Sequence, residues 1–478
     1  MKFSEYFKAE KPPKVERAVE KIARKIGDDK VSTKLADLVS YSHDYWPISL
    51  HWMLRGVLPA LPGAVVWPES TDDVREIVRI AYEEKVPLYP YGGGSGVLGG
   101  AIAEKGGIVV DLKRMRNFSL YEEDLMVYAE AGVNGNLLEM SLNRKGYSLG
   151  HIPQSIYTST VGGWIATKAT GQFSTGYGGV EDLVLGLVVV VPPGEIVRLE
   201  PYPRTATGPD IRRIFIGSEG TLGFITGAWL KIHPLPESRI LMSYLSDSMG
   251  DALSAVQTLL RRGVKPAMIR IYDEVETKRY FYWVESAWGK IVTVLIVEGE
   301  SRIAEATAAA VKEEFERAGS KPLGAKPVEH WLKTRFIVKE ASEYGTVGFV
   351  FDTVEVAVKW SRALELYNKV IDTVRSVEGI ITVSAHASHF YPQGVCFYFT
   401  FGGLPPKGKT PYDFYTEAWN AILETTLKVG GTISHHHGVG RHRIKWFAKE
   451  AGSSMKVLSK IKRAIDEKHL MNPGNLGL

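Results

Sequence analysis

Four stretches of this chain combine residue types that suit a bound ligand. In Pro90-Tyr91-Gly92-Gly93-Gly94-Ser95-Gly96, glycines crowd into a loop just after the strand-like Val86-Pro-Leu-Tyr89. With no Cβ in the way, successive backbone N–H groups can approach an anion closely. Gln154-Ser155-Ile156-Tyr157-Thr158-Ser159-Thr160 runs into Gly162-Gly163 and then Thr167-Lys168-Ala169-Thr170, joining hydroxyls to glycine. Glu219-Gly220-Thr221-Leu222-Gly223-Phe224-Ile225 does so again. Hydroxyls and bare amides suit the ribityl, phosphate and ring-edge atoms of a nucleotide cofactor. A further stretch, His435-His436-His437, lies between Gly431 and Gly438, too deep in the chain for an expression tag. It reads as a functional loop, with no ranking among its three imidazoles.

Gly94-Ser-Gly96-Val-Leu-Gly99 also satisfies the GxGxxG dinucleotide pattern, with Asp111 downstream. That fingerprint needs its glycines to open a helix. Here they run into a second turn, Gly100 to Gly107, and then into the strand Ile108 to Leu112. The dinucleotide reading fails on that ground, and no Lys-Ser/Thr of a P-loop follows.

The elements that position these residues fall into two patterns. From Pro59 to about Pro236 short strands alternate with brief helices, an α+β arrangement too irregular for a doubly wound sheet. The strands are Ala64 to Trp67, Leu88 to Pro90, Ile108 to Leu112, Met126 to Ala131, Leu183 to Val190, Ile196 to Leu199 and Thr226 to His233. A helix over Asp72 to Glu84, with Thr71 as N-cap, precedes the glycine loop. From Leu241 a βαβ-type α/β pattern begins, with helices at Ala252 to Arg262 and Ala304 to Ala318. A helix over Lys359 to Val377 leads to strands Ile380 to Ser384 and Val395 to Phe401. A helix over Asp413 to Val429 ends at Gly430-Gly431, a natural C-cap, and the tail, Lys456 to Lys468, is amphipathic and stops at Met471-Asn-Pro-Gly-Asn. The predicted units are a helical segment over 1–58, a cofactor domain over 59–236, a substrate-capping domain over 237–405 and a C-terminal segment over 406–478.

A chain of 478 residues needs more than one core. Hydrophobic content of 45% and charged content of 23% are those of a soluble globular protein, and a net charge of +4 does not point to nucleic acid. The single cysteine, Cys396, excludes an internal disulfide framework and fits a reducing, cytoplasmic setting. The stretch Met1 to Glu10 lacks the apolar core expected of a signal peptide, and the most apolar run, Leu183 to Val191, is too short to span a bilayer.

The order PYGGGSG, STVGGW with TKATG, and GSEGTLG resembles the flavin-binding domain of the vanillyl-alcohol oxidase superfamily, the p-cresol methylhydroxylase (PCMH) type. Gly150-His-Ile-Pro-Gln-Ser155, Gly208-Pro-Asp-Ile211 and Ile433-Ser-His-His-His-Gly-Val-Gly-Arg441 are similar to the alkyldihydroxyacetonephosphate synthase branch. The resemblance implies FAD held between two sub-parts of the first domain, with the flavin ring facing the second, and a homodimer. Carried over by motif, the cofactor residues are Pro90 to Gly96, Gln154 to Thr160, Thr167 to Thr170 and Glu219 to Ile225. Covalent members place a histidine in or near the glycine loop; this loop has none, so FAD without a covalent bond is expected.

Tyr398 matches the branch's acid/base tyrosine. A phenol near its reference pKa of about 10 is a weak base at neutral pH, so His435, His436 and His437 are expected to lower that value. Relatives that oxidise 2-hydroxy acids hold a divalent metal at the positions that read Tyr391, Tyr398 and His436 here. Two phenols and one imidazole make a poor divalent site, so no metal is expected, with His386 and His389 the remaining candidates. The family's phosphate-gripping arginine falls at Val338-Lys339, leaving Arg335 and Tyr391 as substrate-side candidates. Asn472-Pro-Gly-Asn-Leu476 resembles the closing motif of hydroxy-acid dehydrogenases. The first reading is an FAD-dependent dehydrogenase or oxidase of a small hydroxylated substrate, its electron acceptor unnamed. The second is an ether-forming transferase of the synthase type, and the third a flavin-binding partner protein without turnover.

Overall fold

Three multi-stranded sheets, each with an apolar face to bury, organise the chain. The computed structural model describes residues 2–3, 14–337 and 346–478. Helix α1 (Glu16–Ile26) packs beside α2 (Thr71–Glu84), which buries Val74, Ile77, Val78 and Ala81. The cap of α2 is Ser70, whose hydroxyl accepts from the Asp73 N–H, so the helix starts one residue earlier than expected. These helices cover a four-stranded sheet of β1 (Val31–Ser32), β2 (Ala64–Val66), β3 (Leu88–Tyr91) and β4 (Ile108–Asp111), in the order β1-β2-β4-β3. Strands β2, β3 and β4 run parallel. The glycine loop leaves the end of β3 and returns to β4 without a helix, which removes the dinucleotide reading.

The second sheet contains β5 (Phe118–Tyr121), β6 (Met126–Glu130), β7 (Val184–Val191), β8 (Glu195–Leu199) and β9 (Phe224–Lys231), in the order β8-β7-β9-β6-β5. All of its ladders are antiparallel. The apolar run of β7 is buried within this sheet, beneath the short helix α3 (Val161–Thr167).

The third sheet is the site's platform. It comprises β10 (Ser238–Ser246), β11 (Met268–Tyr272), β12 (Ile291–Gly299), β13 (Lys321–Pro322), β14 (Val350–Lys359), β15 (Ile380–Tyr391) and β16 (Gly394–Gly403), in the order β13-β10-β12-β11-β15-β16-β14. Every ladder is antiparallel, so the alternation of strand and helix did not signal parallel βαβ units. Helices α4 (Met249–Arg261), α6 (Ser301–Arg317), α8 (Ala363–Arg375) and α9 (Pro411–Val429) cover one face. On the other, α7 (Lys326–Thr334) lies against β10 and β12, and α5 (Glu274–Tyr280) against β12, β11 and the first part of β15. The helix expected from Lys359 starts at Ala363, because the preceding residues form β14, whose alternating Val354, Val356 and Val358 fill the core. Beyond α9, α10 (Ile444–Ala451) and α11 (Ser454–Ile465) carry the chain back to the first sheet. There Leu88 donates to Leu470 and accepts from Asn472. Among the described residues no helix is long and apolar enough to cross a membrane.

Candidate active site

Strand alternation selects what the uncovered face of the third sheet presents. In β16, Phe397, Phe399 and Phe401 point into the helix-covered core, so Tyr398 and Thr400 point the other way. In β15, Val383, Ala385 and Ala387 point inward, leaving Ser384, His386 and Ser388 on the same face as Tyr398. The register then shifts between Ser388 and Phe390, and His389 takes a left-handed φ of 53°. This bulge keeps Phe390 in the core and adds His389 to the polar face. Strand β14 contributes Glu355 between two buried valines, and β11 contributes Arg270 between two buried isoleucines.

Tyr398 is the centre of this face. Its hydroxyl lies 2.7 Å from His389 Nε2 and 3.0 Å from His436 Nε2. His389 Nδ1 meets Ser174 Oγ at 2.7 Å. His436 Nδ1 meets His435 Nδ1 at 2.9 Å, and His435 Nε2 meets the Tyr391 hydroxyl at 2.8 Å. The expected lowering of the Tyr398 pKa does not occur. Burial, then the nearby Cys396, pushes its phenol well above the usual value. Burial also holds His389 and His436 well below the ordinary imidazole range and His435 down to about 4. Neutral imidazoles supply no positive charge to draw the phenol down.

Two buried carboxylates brace this centre. Burial alone would raise Glu355, but Arg443, then His437, holds it well below the usual carboxylate range. Glu355 pairs with the fully buried Arg443 and with His437 Nδ1 at 2.9 Å, and it accepts the N–H groups of His436 and His437. On the other side, Arg270 Nη2 lies 2.7 Å from His386 Nε2, and His386 Nδ1 lies 2.9 Å from Glu276 Oε2. A guanidinium only donates. His386 therefore accepts at Nε2 and carries its proton on Nδ1, toward Glu276. The ring of His386 stacks on Tyr398 at 4.5 Å, and the Arg270 guanidinium lies 5.9 Å from the Tyr398 ring centroid.

Cys396, His435 and His436 bring their ligand atoms within 4.8 Å of one another, the one such grouping among the described residues. The two histidines, however, direct their Nδ1 atoms at each other. His386 and His389 are engaged by Glu276, Arg270, Ser174 and Tyr398.

The structure brings the glycine loop against the Thr158–Thr160 turn. A Cβ on Gly93 would stand 1.9 Å from the Thr158 carbonyl oxygen, so only glycine fits. Tyr45 N–H and Lys113 Nζ take the carbonyls of Gly96 and Gly92. Among the described residues no backbone N–H from Gly93 to Leu98 is spent on another protein group. This leaves a row of bare amides, as a bound anion requires. Several of the remaining candidates turn inward. Ser159 Oγ accepts from Trp164, and Thr158, Thr167 and Thr221 bond to nearby carbonyls. Ile156, Leu222, Phe224 and Ile225 are core residues. Thr160 Oγ1 abuts Gly92, whereas Tyr157 is exposed.

Glu219 links the two halves of the site. Its carboxylate accepts the N–H groups of Val439 (2.6 Å) and Gly440 (2.9 Å), and the Asn475 amide at 2.9 Å. Gly438, at φ 78°, would drive a Cβ to 2.4 Å from that carboxylate, which is why glycine follows the three histidines. Arg335 packs against Phe173, Trp331 and Phe336 and donates to Gln172, while Gln154 donates to its carbonyl. Val338 and Lys339 lie outside the described residues. Arg270, Glu276, Glu355, Arg443 and Ser174 were not legible as site residues. The one available signal was a charged residue alternating with apolar ones in Ile269-Arg-Ile271 and Val354-Glu-Val356.

The FAD binding domain family matches residues 62–200, and the C-terminal domain of FAD-linked oxidases matches residues 235–476. The chain belongs to the FAD-linked oxidase family. It is 32% identical over 435 residues to the uncharacterized FAD-linked oxidoreductase YgcU of Escherichia coli K12, covering 87% of this chain and 89% of that one. It is 30% identical over 454 residues to the alkyldihydroxyacetonephosphate synthase of Dictyostelium discoideum, covering 88% and 74%. A solved alkyldihydroxyacetonephosphate synthase superposes with a TM-score of 0.83 at 25% identity, covering 98% of this chain and 87% of that one. A p-cresol methylhydroxylase shares the fold, with a TM-score of 0.77 at 16% identity over 96% of each chain. FAD is the cofactor, and the free amides of the glycine loop fit its pyrophosphate.

Proposed function

We propose that the chain is an FAD-dependent dehydrogenase or oxidase of a small hydroxylated substrate, a 2-hydroxy acid or a polyol. One observation carries this reading: a phenol held between two neutral imidazoles on the polar face. FAD, when bound, supplies the acceptor for the two electrons leaving the alcohol carbon. Tyr398 receives the substrate's hydroxyl proton while its own moves to an imidazole nitrogen. No free phenolate has to persist, so the raised pKa of the phenol is no obstacle. Arg270 offsets negative charge developing on the Tyr398 ring. Arg335, whose described side-chain hydrogen bond is to neutral Gln172, binds an anionic group of the substrate, a carboxylate for example. Burial lowers its pKa only to about 10, so it stays cationic at neutral pH.

The similarity to alkyldihydroxyacetonephosphate synthases favours a second reading, an ether-forming transferase acting on an acylated dihydroxyacetone phosphate and a long-chain alcohol. Anaerobic mixing separates the two. 2-Hydroxy acids or polyols should bleach the flavin band and leave it bleached. Recovery of the oxidised band with the acylated phosphate, together with incorporation of the alcohol, would establish the transferase instead. Acid precipitation should release all the FAD into the supernatant. Colour in the pellet would place a covalent link elsewhere, for example at His151, whose ring nitrogens have no protein partner.

A further inference from the structure

Ser174, His389, Tyr398, His436, His435 and Tyr391 form one unbroken file of hydrogen bonds, each link between 2.7 and 3.0 Å. A neutral imidazole offers one N–H and one lone pair. Choosing the direction of one link therefore sets the others on its side. If Tyr398 donates to His436 Nε2, then His436 donates from Nδ1 to His435 Nδ1. His435 in turn donates from Nε2 to the Tyr391 oxygen, and the Tyr391 proton points away from the file. On the other side, His389 donates from Nε2 to Tyr398 and accepts at Nδ1 from Ser174. Tyr391 is half-buried at the end of β15, next to the exposed Pro392 and Gln393. Burial, then Cys396, pushes the Tyr391 phenol up, and the negative charges of Glu181 and Asp182 act on it in the same direction.

We propose that this file is a proton relay, in which the substrate's hydroxyl proton enters at Tyr398 and a proton leaves at Tyr391. The relay rests on the oxidative reading above. One O–H bond breaks in the substrate and one forms on Tyr398. The Tyr398 proton moves to His436 Nε2, the His436 proton from Nδ1 to His435 Nδ1, and the His435 proton from Nε2 to Tyr391. The original Tyr391 proton passes to solvent. One proton enters and one leaves, and no imidazole carries a lasting charge. Their deep burial makes charge storage costly, so conduction along the file suits them better. The second arm, Ser174 and His389, holds the Tyr398 oxygen in place. Tyr391, a substrate-side candidate in the sequence, thus becomes the exit group.

Two measurements test the relay independently. Histidine-selective 15N NMR of the oxidised holoenzyme at neutral pH should show His389, His435 and His436 each neutral, with one protonated nitrogen. An imidazolium at any of the three, or a metal bound by Cys396, His435 and His436, overturns the proposal. This readout stands even if no hydroxylated compound reduces the flavin, a result that would defeat the oxidative reading alone. With a 2-hydroxy acid or polyol that does reduce it, Tyr391→Phe should slow flavin reduction by about tenfold or more. Substrate affinity should be unchanged, and the solvent deuterium isotope effect should rise. In Tyr391→Gly, added imidazole should restore the rate. Wild-type reduction by Tyr391→Phe, or no rescue of Tyr391→Gly, overturns the relay.

Discussion

Removing one oxygen atom isolates the role of Tyr398. Tyr398→Phe keeps the ring stacked on His386 but leaves His389 Nε2 and His436 Nε2 without their shared partner. Turnover should fall roughly 100-fold, while stability changes by only about 1 kcal/mol and FAD stays bound. A near-wild-type variant would return Tyr398 to a structural role. Glu355 is a different case. Glu355→Gln leaves the buried Arg443 charge uncompensated and loosens the N–H groups of the histidine loop. Urea melts should show a loss of about 3–5 kcal/mol, and an unchanged midpoint would contradict this account of the brace. Tyr398 and the three histidines were readable because they sit in a recognisable local motif. Glu355 and Arg270 were not, because a lone charge in an apolar strand does not reveal the partner it meets across the sheet.

At the scale of the element, the bulge in β15 decides what the site contains. Without the extra residue, Ser388 would still point outward and Phe390 inward, so His389 is an insertion into a regular strand. Deleting residue 389 should therefore preserve the core, the fold and FAD binding. It removes the imidazole that holds the Tyr398 oxygen in place, so turnover should fall by about tenfold or more, though less than in Tyr398→Phe. Near-normal activity in that deletion would show that the His389 arm is dispensable. Most strands were legible from their apolar alternation, and the C-cap at Gly430 from its glycine. β14 was missed because its alternating valines abut a helical pattern. The antiparallel ladders were missed because alternation of strand and helix does not state which strands pair.

Across the whole molecule, buried imidazoles set the response to acid. His43, His51, His151, His233, His386, His389, His435, His436 and His442 all lie below the ordinary imidazole value, chiefly through burial. As pH falls through about 6.5, the unfolded chain binds protons at these positions that the native state refuses, and stability drops. Asp44 and Asp273, raised by burial to about 7, Asp352, raised to about 6, and Glu181 and Glu219 act in the opposite sense. Nine imidazoles against five carboxyls leave a net loss, about 1.4 kcal/mol per net proton per pH unit. The melting temperature should fall steadily from pH 7 to pH 5, and a flat profile would refute the balance. The chain's own order of residues determined the glycine loop, the hydroxyl-rich turns, the histidine triplet, the FAD cofactor and most of the strands, because each is encoded by neighbours or by a local period. Only the tertiary structure decided that Glu219 holds the histidine loop, that Arg270 and Glu276 set the His386 tautomer, and that burial holds His389, His435 and His436 below the ordinary imidazole range. Such properties depend on burial and on partners far along the chain, which no local pattern specifies.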